Sequence, residues 1–128
     1  MAQSESVPAR WPGRAPIEAY GAGGFRFAGM SHRGSIICLP SGIESWHARS
    51  SADLSSQSFS RFLDEQDRIE TLLVGVGRTP IRLSTETLSL LRFAGMTVDA
   101  MDTGAACRTY NVLLAEERAV AAALIAVD

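Results

Sequence analysis

The sequence predicts an α/β domain with an antiparallel β layer at its N-terminal side, and three observations carry that reading. Between Ile17 and Trp46, short β-branched or aromatic runs alternate with glycines, as strands joined by tight turns do. From Thr71 to Met101 a compact apolar run, an amphipathic run and a second apolar run follow one another. That order predicts a right-handed strand–helix–strand unit with parallel strands. The final stretch, Arg118 to Asp128, is short and apolar on all sides. Its alanines favour helix by propensity, but a central strand covered on both faces has this character, and a strand is predicted.

Taken in order, residues 1–16, broken by Pro8, Pro12 and Pro16, read as a disordered tail, and residues 17–128 as one α/β domain. Strands are expected near Ile17–Tyr20, Phe25–Met30, Gly34–Leu39 and Ile43–Trp46, with Ser31–Gly34 as a hairpin-like reversal. Phe59, Phe62 and Leu63 fall at helical spacing and predict a short amphipathic helix. "TLLVGVG" reads as a strand, "STETLSLLRFAG" as a helix with Ser84 as N-cap and Gly95 as its stop, and "MTVDAM" as a strand. Thr103 is the expected cap of the next helix, which carries Ala106, Tyr110, Leu113 and Leu114 on one side and runs to about Glu116. Leu72–Val74, Val98–Met101 and Val120–Val127 should lie side by side as strands apolar across both faces.

A chain of 128 residues, 46% of them hydrophobic, supports one real core, since folding at this size hides roughly two-thirds of the chain's surface. With 12 basic residues scattered among 14 acidic ones and a net charge of -2, there is no basic stripe, which argues against a nucleic-acid partner. The longest apolar run, Ala119 to Val127, falls far short of the roughly 20 residues of a membrane-spanning helix, so no transmembrane segment is expected. No secretory h-region precedes the domain, and a reducing, cytoplasmic location is the expectation for two unforced cysteines. Cys38, Cys107, His32 and His47 sit at no metal-ligand spacing, so neither a metal nor a cofactor is expected.

Asp102-Thr103-Gly104 is the tripeptide of retroviral-type aspartic proteases, but its context is wrong. Such a protease needs several strands after the tripeptide and a later apolar-glycine segment. Here only 24 residues follow Gly104, and the apolar-glycine run "LLVGVG" comes first. A tripeptide without its structural context is weak evidence for a protease, and none is expected.

The same residues have a second reading. Ligands of open α/β sheets gather at the carboxyl ends of strands, and two such ends are Gly75–Arg78 and Asp102–Arg108. Gly75, Gly77, Arg78, Asp102, Thr103, Gly104, Cys107 and Arg108 are therefore the candidate pocket for an anion or a polar small molecule. Gly75, Gly77 and Gly104 should line one concavity there. A tight turn followed by a capped helix explains the same residues without a ligand. Cys107, in the first helical turn beside Arg108, is the one candidate nucleophile of a thiol enzyme. No base stands near it in sequence, and a buried packing cysteine is the plainer role.

The segments "YGAGGFRFAGMSHRGSIICLP", "LLVGVGR" and "GMTVDAMDTGAACRTYNVLLAEERAVAAALIAV" together resemble a small α/β family. It is the family of the mitochondrial NADH:ubiquinone oxidoreductase (complex I) assembly factor 3 and its uncharacterised bacterial and archaeal relatives. The resemblance runs from about Ile17 to Val127, and its last segment is the most specific. It implies a three-layer α/β fold around a mixed central sheet, and it supports a strand at the C-terminal end. It implies no established enzyme activity, no cofactor, and no catalytic residue to carry over onto Asp102, Cys107 or Arg108. The eukaryotic branch helps to assemble a respiratory complex through protein contacts and carries a mitochondrial presequence, which this chain does not convincingly show. The expectation is thus a bacterial, non-enzymatic interaction protein with a protein partner, helping to assemble a membrane-associated complex. The alternative is a small-molecule binder or thiol enzyme using the two strand ends.

Overall fold

The computed structural model describes residues 10–128. A mixed six-stranded sheet forms its centre. The strands are β1 (Arg10–Pro12), β5 (Ile36–Leu39), β6 (Gly42–Ser45), β7 (Thr71–Gly75), β8 (Thr97–Met101) and β9 (Val120–Leu124), in the order β1-β6-β5-β9-β7-β8. The pairings from β1 through β9 are antiparallel, whereas β7 runs parallel to both β9 and β8. A separate antiparallel sheet holds β2 (Ile17–Gly21), β3 (Gly24–Phe27) and β4 (Met30–Arg33). The helices are α1 (Ser60–Asp64), α2 (Thr85–Phe93) and α3 (Thr103–Ala115).

Side-chain alternation along the central strands divides the core in two. Ile37, Leu39, Leu72, Val74, Val98, Ala121 and Ala123 meet Phe62 of α1 and Leu91 of α2 on one face. Ile36, Cys38, Leu73, Val120, Ala122 and Leu124 meet Ala106, Cys107 and Tyr110 of α3, with Phe25 and Phe27 of the small sheet, on the other. The result is three layers, with the small sheet sharing the α3 side. Strand β9 lies in the middle, and its run of alanines is fully buried because helices press on it from both faces.

Four differences from the sequence reading have physical causes. The expected N-terminal layer comprises only β2–β4, because Ile36–Leu39 is buried at every position and so can only lie inside a doubly covered sheet. Ser31–Arg33 is strand rather than reversal. The turn falls earlier, at Ala28-Gly29, where both residues have positive φ (51° and 73°) and close a two-residue hairpin between Phe27 and Met30. Arg10–Pro12, assigned to the tail, pairs with β6, whose Gly42 has no Cβ to strike the Trp11 carbonyl; residues 1–9 of that tail lie outside the described residues. Finally, β8 is an edge strand with Asp99 and Ala100 exposed, not a strand apolar on both faces.

Candidate functional site

The loops leaving β7 and β8 go to opposite faces of the sheet, to α2 and α3, so the carboxyl ends of these parallel neighbours mark a topological switch point. Here the gap is closed by hydrogen bonds. Thr103 N–H donates to the Gly77 carbonyl at 2.8 Å, and Gly77 N–H donates to Thr103 Oγ1 at 3.0 Å. The Thr103 hydroxyl donates to the Ile125 carbonyl at 2.7 Å. One wholly buried threonine thus ties the ends of β7, β8 and β9 together.

The remaining candidate residues divide between several environments. Asp102, not Thr103, is the N-cap of α3. Its backbone is extended and Oδ1 accepts from Ala105 N–H at 2.9 Å, while Thr103 is already helical and turns its hydroxyl inward. Gly75 lies beneath α3, where a Cβ would come 2.9 Å from Thr103 Cα. Gly104 is covered by Tyr20 of β2, whose hydroxyl receives a hydrogen bond from Arg108 Nη1 at 3.3 Å. Gly77 has open space beside it, at φ 108°. Arg78 donates to the terminal Asp128 carbonyl. The structure brings both Gly75 and Gly77 against Thr103 and sets Gly104 apart, under Tyr20.

Cys107 is buried, and loss of hydration pushes its thiol up to about 12; the adjoining Arg108 lowers it less than burial raises it, and Asp102 raises it further. Burial likewise pushes up the Cys38 thiol on β5 and the Tyr110 phenol on α3, which face one another. These three groups are neutral at pH 7.

Two grooves adjoin this end of the sheet. One, of about 410 Å³, holds Gly77 and Arg78 together with Arg49, Ser50 and Asp128. The other, of about 490 Å³, lies between β8 and α2 and is lined by Pro80, Ile81, Arg82, Leu83, Leu88, Arg92, Val98 and Ala100. Within that lining Ile81 is 48% exposed, and Phe93, at the end of α2 and outside the lining, is 95% exposed. The sequence reading did not single out these residues. A signal was present, because α2 buries Thr87 and Leu91, one turn apart, and Phe93 stands two residues, or about 200°, beyond Leu91 on the opposite side.

The three-layer arrangement, with its switch point locked by Thr103, defines a small α/β domain whose open features are surface grooves and sheet edges. The chain belongs to the family described as Protein of unknown function (DUF498/DUF598), whose model matches residues 17–125. It is 35% identical to mouse NADH dehydrogenase [ubiquinone] 1 alpha subcomplex assembly factor 3, over 93% of this chain and 64% of the mouse protein. The human assembly factor 3 is 37% identical, over 85% of this chain and 59% of that protein. The chain therefore spans about three-fifths of the length of these relatives. An uncharacterized protein of Rhodobacter capsulatus is 36% identical, over 88% of this chain and 86% of that one.

Solved structures agree with the fold. One described as an outer membrane protein from Bartonella henselae has a TM-score of 0.88 at 56% identity, covering 91% of this chain and 98% of that one. A Bordetella pertussis protein described as an Mth938-like domain has a TM-score of 0.78 at 31% identity, covering 88% of this chain and 85% of that one. Among the described residues no helix is long and apolar enough to cross a membrane, and the central sheet is open, with β1 and β8 at its edges.

Proposed function

We propose that this protein is a non-enzymatic cytoplasmic assembly protein that acts by binding another protein during maturation of a membrane-associated respiratory complex. The observation that carries this reading is the similarity of most of the domain to complex I assembly factor 3 of vertebrates, at 35% to 38% identity. The use of the candidate site residues supports it. Asp102 caps a helix, Thr103 joins three strands and Cys107 packs as a neutral thiol, so the reactive side chains of that segment are engaged in holding the fold. Deleting the gene in the source organism and measuring the assembled respiratory NADH dehydrogenase on native gels tests the proposal. The complex should fall, and re-expression of the intact chain should restore it. An unchanged amount of complex would refute the assembly role.

A second reading keeps the groove at Gly77 and Arg78 as a site for a small anion, favoured by Arg49 and Arg78 in its lining and opposed by Asp128. Titration with inorganic phosphate, followed by amide shifts at Gly77 and Arg78, tests it. Saturable shifts lost in Arg78→Ala support the groove as a site, and their absence removes it.

A further inference from the structure

Strand β8 is the end of the central sheet, and among the described residues nothing pairs with its outer side. Thr97 N–H donates inward to the Glu70 carbonyl and the Met101 carbonyl accepts inward from Val76 N–H. In a parallel ladder alternate residues address the same neighbour, so Thr97, Asp99 and Met101 serve β7. The N–H and C=O groups of Val98 and Ala100 consequently point out of the sheet edge. These same two residues line the groove against α2. An unpaired backbone edge and an apolar trough therefore coincide.

The charges around this edge are specific to its two faces. On the α2 face Arg82 and Arg92 stand at the groove, and neither belongs to an ion pair among the described residues. Asp99 points to the opposite face, the side of Met101 and α3. A second copy of this chain pairing β8 antiparallel across a two-fold axis at Asp99 would set the two Asp99 carboxylates directly opposite each other, which destabilises a strand pair. An incoming strand with acids toward Arg82 and Arg92, apolar residues between them and a base toward Asp99 satisfies every group.

We propose that the outer edge of β8 and the groove between it and α2 receive an extended acidic-apolar segment of a partner protein as an added strand. The proposal rests on the interaction reading above and names the surface it uses. Backbone hydrogen bonds to Val98 and Ala100 would supply affinity, and the alternating side chains in the groove would supply selectivity. Ile81, half-exposed in the groove lining, would be covered by the added strand.

The probe is a synthetic ten-residue peptide with Val and Glu alternating on one face and Thr and Lys on the other. It is compared with a scrambled peptide and with one in which Lys replaces Glu. The full chain should bind the first peptide, slow amide exchange at Val98 and Ala100 at least tenfold, and bind the scrambled peptide at least tenfold more weakly. Ala100→Pro removes an outward N–H that no ladder bond uses and should weaken binding at least tenfold. The double variant Arg82→Glu, Arg92→Glu changes only exposed side chains, so it should fold normally and prefer the Lys-bearing peptide. Equal binding of the scrambled peptide, no protection at Val98 and Ala100, or an unchanged peptide preference in the double variant would overturn the proposal. Self-association of the chain that Ala100→Pro abolishes would also overturn it, in favour of a second copy. In cells, Ala100→Pro supporting full assembly where deletion prevents it would overturn the β8 surface and leave the assembly role standing. If deletion has no effect, the assembly role fails and the peptide titration alone decides the surface.

Discussion

Thr103→Val removes one oxygen and little volume, so it isolates the hydroxyl that joins the three parallel strands. The side chain is wholly buried, and the substitution leaves Gly77 N–H and the Ile125 carbonyl without the partners they hold at 3.0 and 2.7 Å. About 1 kcal/mol for the part-buried bond to Gly77 and about 1–3 kcal/mol for the Ile125 carbonyl left stranded in buried surroundings give a loss of about 2–4 kcal/mol. Unfolding entropy is about 2.1 cal/mol/K per residue, so the melting temperature of a chain this size should fall by about 7–15 °C. Thr103→Ser keeps the hydroxyl and sheds one methyl, for about 1 kcal/mol. Calorimetric melting of the wild type and both variants checks the ranking, and amide exchange at Gly77 should accelerate in the valine variant alone. A valine variant that melts within 2 °C of wild type, or a serine variant less stable than it, would refute the idea that this hydroxyl closes the switch point.

The glycines make a paired prediction. Gly75→Ala forces a methyl to 2.9 Å from the Thr103 backbone and should cost about 1–3 kcal/mol, whereas Gly104→Ala meets the exposed ring of Tyr20, which can swing aside, and should stay within about 1 kcal/mol of wild type in urea unfolding. Asp102→Ala should cost about 1 kcal/mol by loss of the cap and Asp102→Asn less, with neither change creating or abolishing cleavage of peptides at acidic pH. In a Cys38→Ala background, Cys107 should alkylate slowly at pH 7.5 until the chain is unfolded, and fast labelling of the native protein would restore it as a candidate nucleophile. Its folded thiol, at about 12, lies above its ordinary value of 9.0. Both states therefore keep the proton below about pH 9, and only the unfolded chain releases it between there and pH 12. Stability should be independent of this group below pH 8 and fall by up to about 1.4 kcal/mol per pH unit above 9, with a shallower fall in Cys107→Ala.

Much of the fold could be read from residue patterns because the strongest elements obey one local rule each. Ser84 as N-cap and Gly95 as stop bound α2 as expected, with Ser84 Oγ accepting from Thr87 N–H. The alanine-rich end is a strand because burial on both faces overrides helix propensity. What escaped was decided by non-local partners. Nothing near Ile36–Leu39 says that these residues pair with β9 rather than with the strands before them. Asp102 and Thr103 are both competent caps, and only the presence of Gly77 and Ile125 draws the threonine hydroxyl inward. Tyr20 over Gly104 joins residues far apart in the chain, and no spacing rule reaches that far. The open edge at β8 was equally hidden, since strand order is not a property of any single segment.

Those non-local contacts bear on where a partner can bind. A ligand entering between the ends of β7 and β8 would have to part Thr103 from Gly77 and Ile125, giving up hydrogen bonds worth about 1 kcal/mol each before making its own. An added strand on β8 breaks nothing. It meets backbone groups of Val98 and Ala100 that pair with no other strand among the described residues, and it would bring acids to Arg82 and Arg92, cations without ion-pair partners among the described residues. Proteins often shield such an edge with a charge or a bulge. In the self-pairing centred on Asp99 the two carboxylates would oppose one another, whereas a strand carrying the opposite charge at that position meets attraction. Under the proposed strand addition, that difference in charge would favour a partner segment over the self-pairing centred on Asp99.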